Sequence, residues 1–178
     1  MRQEKGWAIW ITGLPSSGKT TIAKALNRRL YERGIGAQIL ESDEVRRVLT
    51  PSPTYSEEER GNFYRALVYI GKLLVENGVN VIFDATANRR CYREEARSWI
   101  DNFLEVYVKC PLEVCIERDM KGIYRRALKG EAKTVPGLQA PYEEPLEPEV
   151  TIDCVADSPE EAAHRIIEVL KEKRFLKA

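Results

Sequence analysis

Short apolar runs alternate along this chain with longer stretches in which apolar residues recur every three to four positions. Trp7-Ala8-Ile9-Trp10-Ile11-Thr12 is a continuous apolar run ending at Gly13, the pattern of a strand buried in a parallel sheet. From Thr20 to about Arg33, Ile22, Ala23, Leu26 and Leu30 recur at helical spacing, and Gly34 stands where a glycine closes a helix. Ile35 to Leu40 predicts a second strand, with Asp43 just past its end. Ser56-Glu57-Glu58-Glu59 reads as a capping box for a long helix with Tyr64, Leu67, Val68, Gly71, Leu74 and Val75 on its apolar face, stopped by Asn77-Gly78. Val79–Phe83 predicts a third strand ending in Asp84, followed by a charged helix over about Arg90–Ile100 and a fourth strand over Leu104–Lys109. Pro111 opens a helix to about Asp119, Val150–Val155 predicts the fifth strand, and Ser158-Pro159-Glu160-Glu161 caps a last helix.

Strands alternating with helices predict an α/β fold, a five-stranded parallel sheet with helices on both faces. Residues 120–149 interrupt the pattern with three glycines, four prolines and little apolar periodicity, which predicts a lid or wrapping segment. No repeat or low-complexity linker divides the 178 residues, so residues 1–178 are expected to form a single domain.

The chain carries 28 basic and 28 acidic side chains and one histidine. Neutrality argues against nucleic-acid and membrane-surface partners. No apolar run reaches the roughly 20 residues of a membrane span, and no cleavage-site pattern follows the N-terminus, so the cytoplasm is the expected compartment. The charged fraction of 31% is slightly high and weakly favours thermophilic ion-pair networks. A lone His164, in a helical context, excludes multi-histidine metal sites. Cys91, Cys110, Cys115 and Cys154 form no C-x-x-C pair and are expected to be reduced, mostly buried thiols. Along the chain the balance is uneven. Residues 1–133 hold 23 bases and 18 acids, whereas 134–164 hold eight acids and no lysine or arginine. Only six acids are aspartate, so each is worth placing.

Gly13-Leu14-Pro15-Ser16-Ser17-Gly18-Lys19-Thr20 satisfies G-x-x-x-x-G-K-[ST], between a strand and a helix as that motif requires. Its glycines let backbone N–H groups wrap phosphates, and the helix N-terminus adds partial positive charge. Lys19 can reach the outer phosphates and the Thr20 hydroxyl can ligate Mg²⁺. The alternative, an ordinary βα turn, lacks a reason for the full motif. ATP and Mg²⁺ are the expected ligands. No Asn-Lys-x-Asp run supports a GTPase, and the chain is too short for a motor or transporter ATPase, which leaves a small-molecule kinase.

Ligands of open α/β sheets bind beyond the carboxyl ends of the strands, where Asp43 and Asp84 both fall. Either could organise Mg²⁺ or accept a proton from an attacking hydroxyl, or simply cap a helix. Arg46 follows Asp43 by three residues. Arg60 lies in the first turn of the long helix, an electrostatically unfavourable place unless an anion binds there. Tyr55 is either a hydrophobic staple or a stacking surface for a base. Arg93 and Arg97 are expected to be solvated or paired with Glu94 and Glu95.

Taken together, Gly13–Thr21 (GLPSSGKTT), Glu41–Arg46 (ESDEVR), Tyr55–Arg60 (YSEEER), Cys110–Tyr124 (CPLEVCIERDMKGIY) and Ala140–Glu149 (APYEEPLEPE) resemble the adenylylsulfate (APS) kinases. These enzymes move the γ-phosphate of ATP to the 3′-hydroxyl of adenosine 5′-phosphosulfate. The resemblance implies that Lys19 and Asp43 are catalytic, that Thr20 and Asp43 serve the metal, and that residues 13–21 with Arg118 hold the nucleotide. It implies Asp43, Arg46, Tyr55, Arg60, Asn62, Lys121 and Lys133 for the acceptor, and a homodimer. The chain departs from the family pattern at four places. Glu41 replaces the first acid of an Asp-x-Asp, and Phe63 stands where an asparagine is expected, with Asn62 one position early. Val135 takes the place of a second aromatic of the adenine clamp. Asn88 falls in the segment Thr86-Ala87-Asn88-Arg89, where a serine assigned as phosphorylated in some members is expected, so transfer should be direct and in line. Rival readings are a kinase for another hydroxyl (a sugar acid, a nucleoside or a polynucleotide 5′-end) and a non-catalytic ATP-binding module.

Overall fold

The computed structural model describes residues 4–176. Strands β1 (Ala8–Thr12), β2 (Ala37–Glu41), β3 (Asn80–Asp84), β4 (Phe103–Lys109) and β5 (Val150–Asp153) pair in parallel in the order β2-β3-β1-β4-β5. Helices α1 (Lys19–Tyr31) and α7 (Pro159–Glu172) cover one face; α3 (Glu57–Glu76) and α4 (Arg90–Trp99) cover the other. The short helices α2 (Ser42–Leu49), α5 (Leu112–Arg118) and α6 (Ile123–Leu128) lie at the carboxyl edge. All five residues of β1 are buried, as a central parallel strand requires. The sequence thus foretold the strand pattern and the parallel sheet; boundaries moved by one or two residues. Asp84 closes β3, as the sequence pattern predicts.

On one face Ile9, Ile11, Leu26, Leu30, Ile166 and Ile167 build the core; on the other Trp10, Phe63, Leu67, Phe83 and Phe103 do so. α3 approaches β3 so closely that a Cβ on Gly71 would stand 2.1 Å from Phe83 Cζ, which is why the helix carries glycine there. Trp10 and Phe83 stack at 4.6 Å between centroids, and this adds to their burial.

One expectation gains detail and two need correction. Residues 120–149, expected to form a lid or wrapping segment, also hold α6, whose Tyr124 and Ala127 are buried in a third cluster with Leu14, Cys115 and Val135. Its few apolar residues dock on neighbours in sequence and space, which periodicity over so short a span cannot display. The remainder, from Ala140 to Glu149, crosses α4 and the edge of β4 as a strap. Second, Arg93 is neither solvated nor paired with Glu94 or Glu95. It is 1% exposed, donates from Nε to Glu105 at 2.7 Å, from Nη2 to the Glu143 carbonyl at 2.6 Å, and from Nη1 to the Ala87 carbonyl. Arg97 meanwhile clasps Glu149 with both nitrogens, at 2.6 and 2.9 Å. Two strap residues, Glu143 and Glu149, therefore neutralise bases around α4, with Arg89 taking the Glu143 carboxylate at 3.3 Å.

Third, Cys110 and Cys154 form a disulfide, with Cα atoms 5.2 Å apart. The cause is register: Lys109 lies opposite Asp153 in the β4–β5 pair, so the next residue of each strand faces the other. The sequence spacing of the two cysteines carries no sign of that pairing. Among the described residues Cys91 is free and exposed, Cys115 free and buried. Alkylation of unreduced native protein should therefore modify Cys91. Unfolding should raise the count to two, and prior reduction to four; four adducts without reductant, read by intact mass, would disprove the bridge.

Candidate active site

The motif between β1 and α1 adopts the conformation a phosphate cradle needs. A Cβ on Gly13 would stand 2.7 Å from the Val108 carbonyl oxygen and 2.8 Å from Ser17 Oγ, so only glycine lets the loop pass. Ser16 holds a positive φ of 61°, Tyr55 one of 55° and Ala87 one of 42°. Among the described residues only one other non-glycine, Arg174, does so. Strained backbone of this kind is retained where surroundings impose it, commonly at binding sites. Here it marks the loop, the aromatic before α3 and the turn after β3. Lys19 lies folded back, Nζ donating to the Leu14 carbonyl at 2.8 Å. Burial lowers its ammonium from the ordinary lysine value, opposed by the negative charges of Asp84 and Asp43. A triphosphate would compensate the same buried charge.

Asp84, which the sequence left open between a functional acid and a helix cap, is resolved by geometry. It is 3% exposed, its Oδ2 accepts from Thr20 Oγ1 at 2.6 Å, and the cap of α4 is Arg89. The β1–β3 register, with Ile11 opposite Asp84, brings it to the start of α1. Thr20 and Asp84, joined, offer the hydroxyl and carboxylate that a magnesium–triphosphate group uses. Ser17 Oγ is buried with no hydrogen-bond partner, an orphan that a bound phosphate or metal would satisfy. These donors fit ATP and Mg²⁺. The sequence reading had named Thr20 and Asp43 for the metal. The signal for Asp84, an acid ending the strand beside the motif strand, was visible, but its neighbour was not.

Asp43, in the first turn of α2, is half-exposed and accepts from Lys121 Nζ at 2.5 Å, with Glu41 at 3.5 Å from the same ammonium. Burial would lower the Lys121 ammonium; the hydrogen bond and charge of Asp43 outweigh it, with Glu41 helping, and raise it above its ordinary value. Lys121 belongs to the segment after α5, so the structure brings the expected lid base onto the expected catalytic acid.

Arg46, Arg60 and Tyr55 also converge. Arg46 Cζ stands 5.1 Å from the centre of the Tyr55 ring and Arg60 Cζ 5.7 Å from it. Arg46 lies on the Phe63 ring at 3.8 Å and donates to Glu59 at 3.2 Å. Phe63, the departure from an expected asparagine, is thus a cation–π platform for Arg46. Both arginines are 8% exposed. Burial lowers the Arg60 guanidinium from its ordinary value, and the nearby Arg46 charge adds to this. The capping box before α3 is only half formed: Ser56 Oγ accepts from Glu59 N, but the Glu59 carboxylate turns to Thr54 N, Tyr55 N and Arg46. Its second role fixes the unusual backbone of Tyr55.

Other expected residues are less engaged. Asn62 is exposed on α3, two positions and so about 200° around the helix from buried Arg60. Lys133 and Thr21 are exposed. Val135 is buried against Tyr124 and Cys115. Arg118 donates to the Cys154 carbonyl at 3.0 Å. Tyr124, which sequence reasoning quoted but gave no role, donates its hydroxyl to the Pro15 carbonyl at 2.9 Å and so ties α6 to the loop.

Comparison with known proteins agrees with this arrangement. Residues 5–153 match the model of the family described as adenylylsulphate kinase. The chain belongs to the adenylylsulphate kinase family. An adenylyl-sulfate kinase of Thermodesulfovibrio yellowstonii is 44% identical over 171 residues, covering 95% of this chain and 86% of the relative. One from Rippkaea orientalis is 41% identical over 174 residues, covering 98% and 96%. The structure of the Mycobacterium tuberculosis APS kinase CysC in complex with AMPPNP and APS superposes with a TM-score of 0.89 at 32% identity, covering 94% of this chain and 98% of that one.

Replacing Asp84 by asparagine keeps the shape of the side chain and removes its charge. D84N is expected to lower kcat by about 10²-fold, the scale of one lost electrostatic stabiliser, with Tm little changed. Steady-state kinetics over a magnesium titration checks this; an unchanged kcat would remove Asp84 from the site.

Proposed function

We propose that the protein is an ATP-dependent kinase that phosphorylates the 3′-hydroxyl of adenosine 5′-phosphosulfate. The observation that carries this reading is the pairing of two buried arginines with one exposed tyrosine beside the phosphate loop. Arg46 and Arg60 supply charge for a phosphosulfate, and the Tyr55 ring supplies a face for adenine. With Val135 buried elsewhere the adenine stacks on one wall, a weaker grip than a two-sided clamp.

ATP lies along Gly13–Thr21, with Arg118 toward its nucleoside end. Lys19 leaves the Leu14 carbonyl for the outer phosphates, and Thr20 with Asp84 holds Mg²⁺, which when bound neutralises phosphate charge. Asp43 faces the acceptor hydroxyl. As the hydroxyl oxygen bonds to the γ-phosphorus, the bond from that phosphorus to the β-phosphate oxygen breaks and the hydroxyl proton passes to the Asp43 carboxylate. No group on the protein is phosphorylated, since Asn88 offers no hydroxyl. Lys121, pulled from Asp43 by the incoming anions, is placed to neutralise charge on the transferred group, and Lys133 is available in the same segment. Asn62 contributes least in this arrangement. The assembly we assign on the family resemblance is a homodimer in the cytoplasm; a disulfide in that compartment is uncommon outside hyperthermophiles.

A coupled assay should find ADP release that depends on APS and exceeds release with sugar acids, nucleosides or 5′-hydroxyl oligonucleotides. Turnover of one of those acceptors without APS turnover would replace the acceptor assignment; ATP binding without any transfer would support a regulatory module. Lys19→Ala should abolish turnover in either kinase. Arg46→Ala should lower kcat/KM for APS by about 10²-fold, the loss of a charged hydrogen bond of roughly 3 kcal/mol, and leave KM for ATP within twofold. The reverse pattern would place Arg46 on the nucleotide.

A further inference from the structure

The turn after β3 is tied to its surroundings at nearly every residue. The Ala85 carbonyl accepts from Trp10 Nε1 at 3.0 Å, the Thr86 carbonyl from Thr12 Oγ1 at 2.6 Å, and Ala87 N donates to Tyr64 Oη at 3.0 Å. The turn therefore presents Asn88 as a fixed group, 5% exposed. Asn88 makes three connections. Its backbone carbonyl accepts from Glu143 N at 2.8 Å, its Nδ2 donates to the Pro141 carbonyl at 3.0 Å, and its Oδ1 accepts from Arg60 Nη1 at 3.4 Å. The other end of Arg60 donates from Nη2 to Thr134, at 2.6 Å to the carbonyl and 3.1 Å to the hydroxyl. Arg60 is thus gripped between a rigid turn and the segment that precedes the strap.

We propose that Asn88 is a positioning residue of the acceptor site: its neutral amide joins Arg60 to the strap and leaves the guanidinium charge free for the acceptor's phosphosulfate. The inference rests on the assignment of Arg60 to that acceptor. The side chain must accept toward Arg60 and donate toward Pro141 at once, and asparagine does both without charge. A carboxylate in its place would still accept from Arg60. It would also form a buried ion pair with it, cancelling the charge meant for the substrate, and would turn a second oxygen toward the Pro141 carbonyl. A serine is too short to span both partners. The residue that departs from the family's serine is thereby given work that a hydroxyl at this place does not do.

Asn88→Asp and Asn88→Ala, compared with the unaltered enzyme, test this. N88D is expected to raise KM for APS at least tenfold, N88A about threefold, each with KM for ATP within twofold of the unaltered enzyme. A purely structural role would instead lower Tm and kcat in both variants without separating the two substrates. Unchanged KM for APS, equal effects of the two variants, or parallel rises in both KM values would overturn the proposal. Should N88D not fold, N88A decides: an APS-specific rise supports the proposal and its absence overturns it. An unaltered enzyme that fails to turn over APS would overturn the acceptor assignment, and this proposal with it; activity in the unaltered enzyme with unresponsive variants would overturn this proposal alone.

Discussion

The hydrogen bond from Thr20 to Asp84 at 2.6 Å depends on the register of two parallel strands, and the nucleotide site depends on it in turn. β1 ends in the glycine loop and β3 ends in the acid. Because the strands run side by side with Ile11 opposite Asp84, the acid arrives beside the first turn of α1. A shift of one residue would turn the carboxylate to the other face of the sheet. Such a shift is resisted by the apolar residues around it, since Phe83 stacks on Trp10 and lies close against Gly71 in this register. Packing on the α3 face therefore sets the chemistry at the edge.

The second half of the site depends on charge instead of apolar packing. The acidic stretch after residue 133 does not lie in solvent as a separate region. Glu143 and Glu149 fasten the strap to Arg89 and Arg97, Arg93 binds the strap backbone from below, and Glu160 takes Arg28 and Arg29 across α1 and α7. Arg93 and Glu105 are the buried members, and removing one partner of such a pair costs about 3–5 kcal/mol. The exposed pairs contribute far less. The zero net charge of the chain conceals a basic body, an acidic stretch over 134–164 and a basic tail, and the body and the acidic stretch pair with each other. Among the buried bases, Lys19, Arg46 and Arg60 are the ones assigned to anionic ligands.

The sheet, the loop and the order of elements were legible in the sequence because each is a local pattern: a buried apolar run, helical spacing, a motif of fixed length. Asp43, Arg46, Tyr55 and Arg60 were legible as candidates through spacing and family motifs, and the structure brings the last three together around one aromatic ring. What was not legible depends on register or on contacts far apart along the chain. The Cys110–Cys154 bridge follows from Lys109 lying opposite Asp153; the burial of Arg93 follows from the strap crossing above it. Phe63 looked like a lost polar contact, and it becomes meaningful only when Arg46 is found lying on its ring.

That contact bears on how an enzyme with two neighbouring buried cations remains folded before its substrate arrives. Burial lowers the Arg60 guanidinium from its ordinary value, and the neighbouring Arg46 charge adds to this. Among the described residues neither faces an acid able to cancel its charge fully: Arg46 shares Glu59 with Thr54 and Tyr55, and Arg60 donates to neutral acceptors in Asn88 and Thr134. The faces of Phe63 and Tyr55 supply the remaining stabilisation as ring quadrupoles, which attract a cation without neutralising it. A carboxylate would hold the arginines more firmly and would compete with the substrate. Aromatic rings and amides hold them less firmly and leave their charge intact, so the anion that enters completes an electrostatic arrangement the folded chain leaves open.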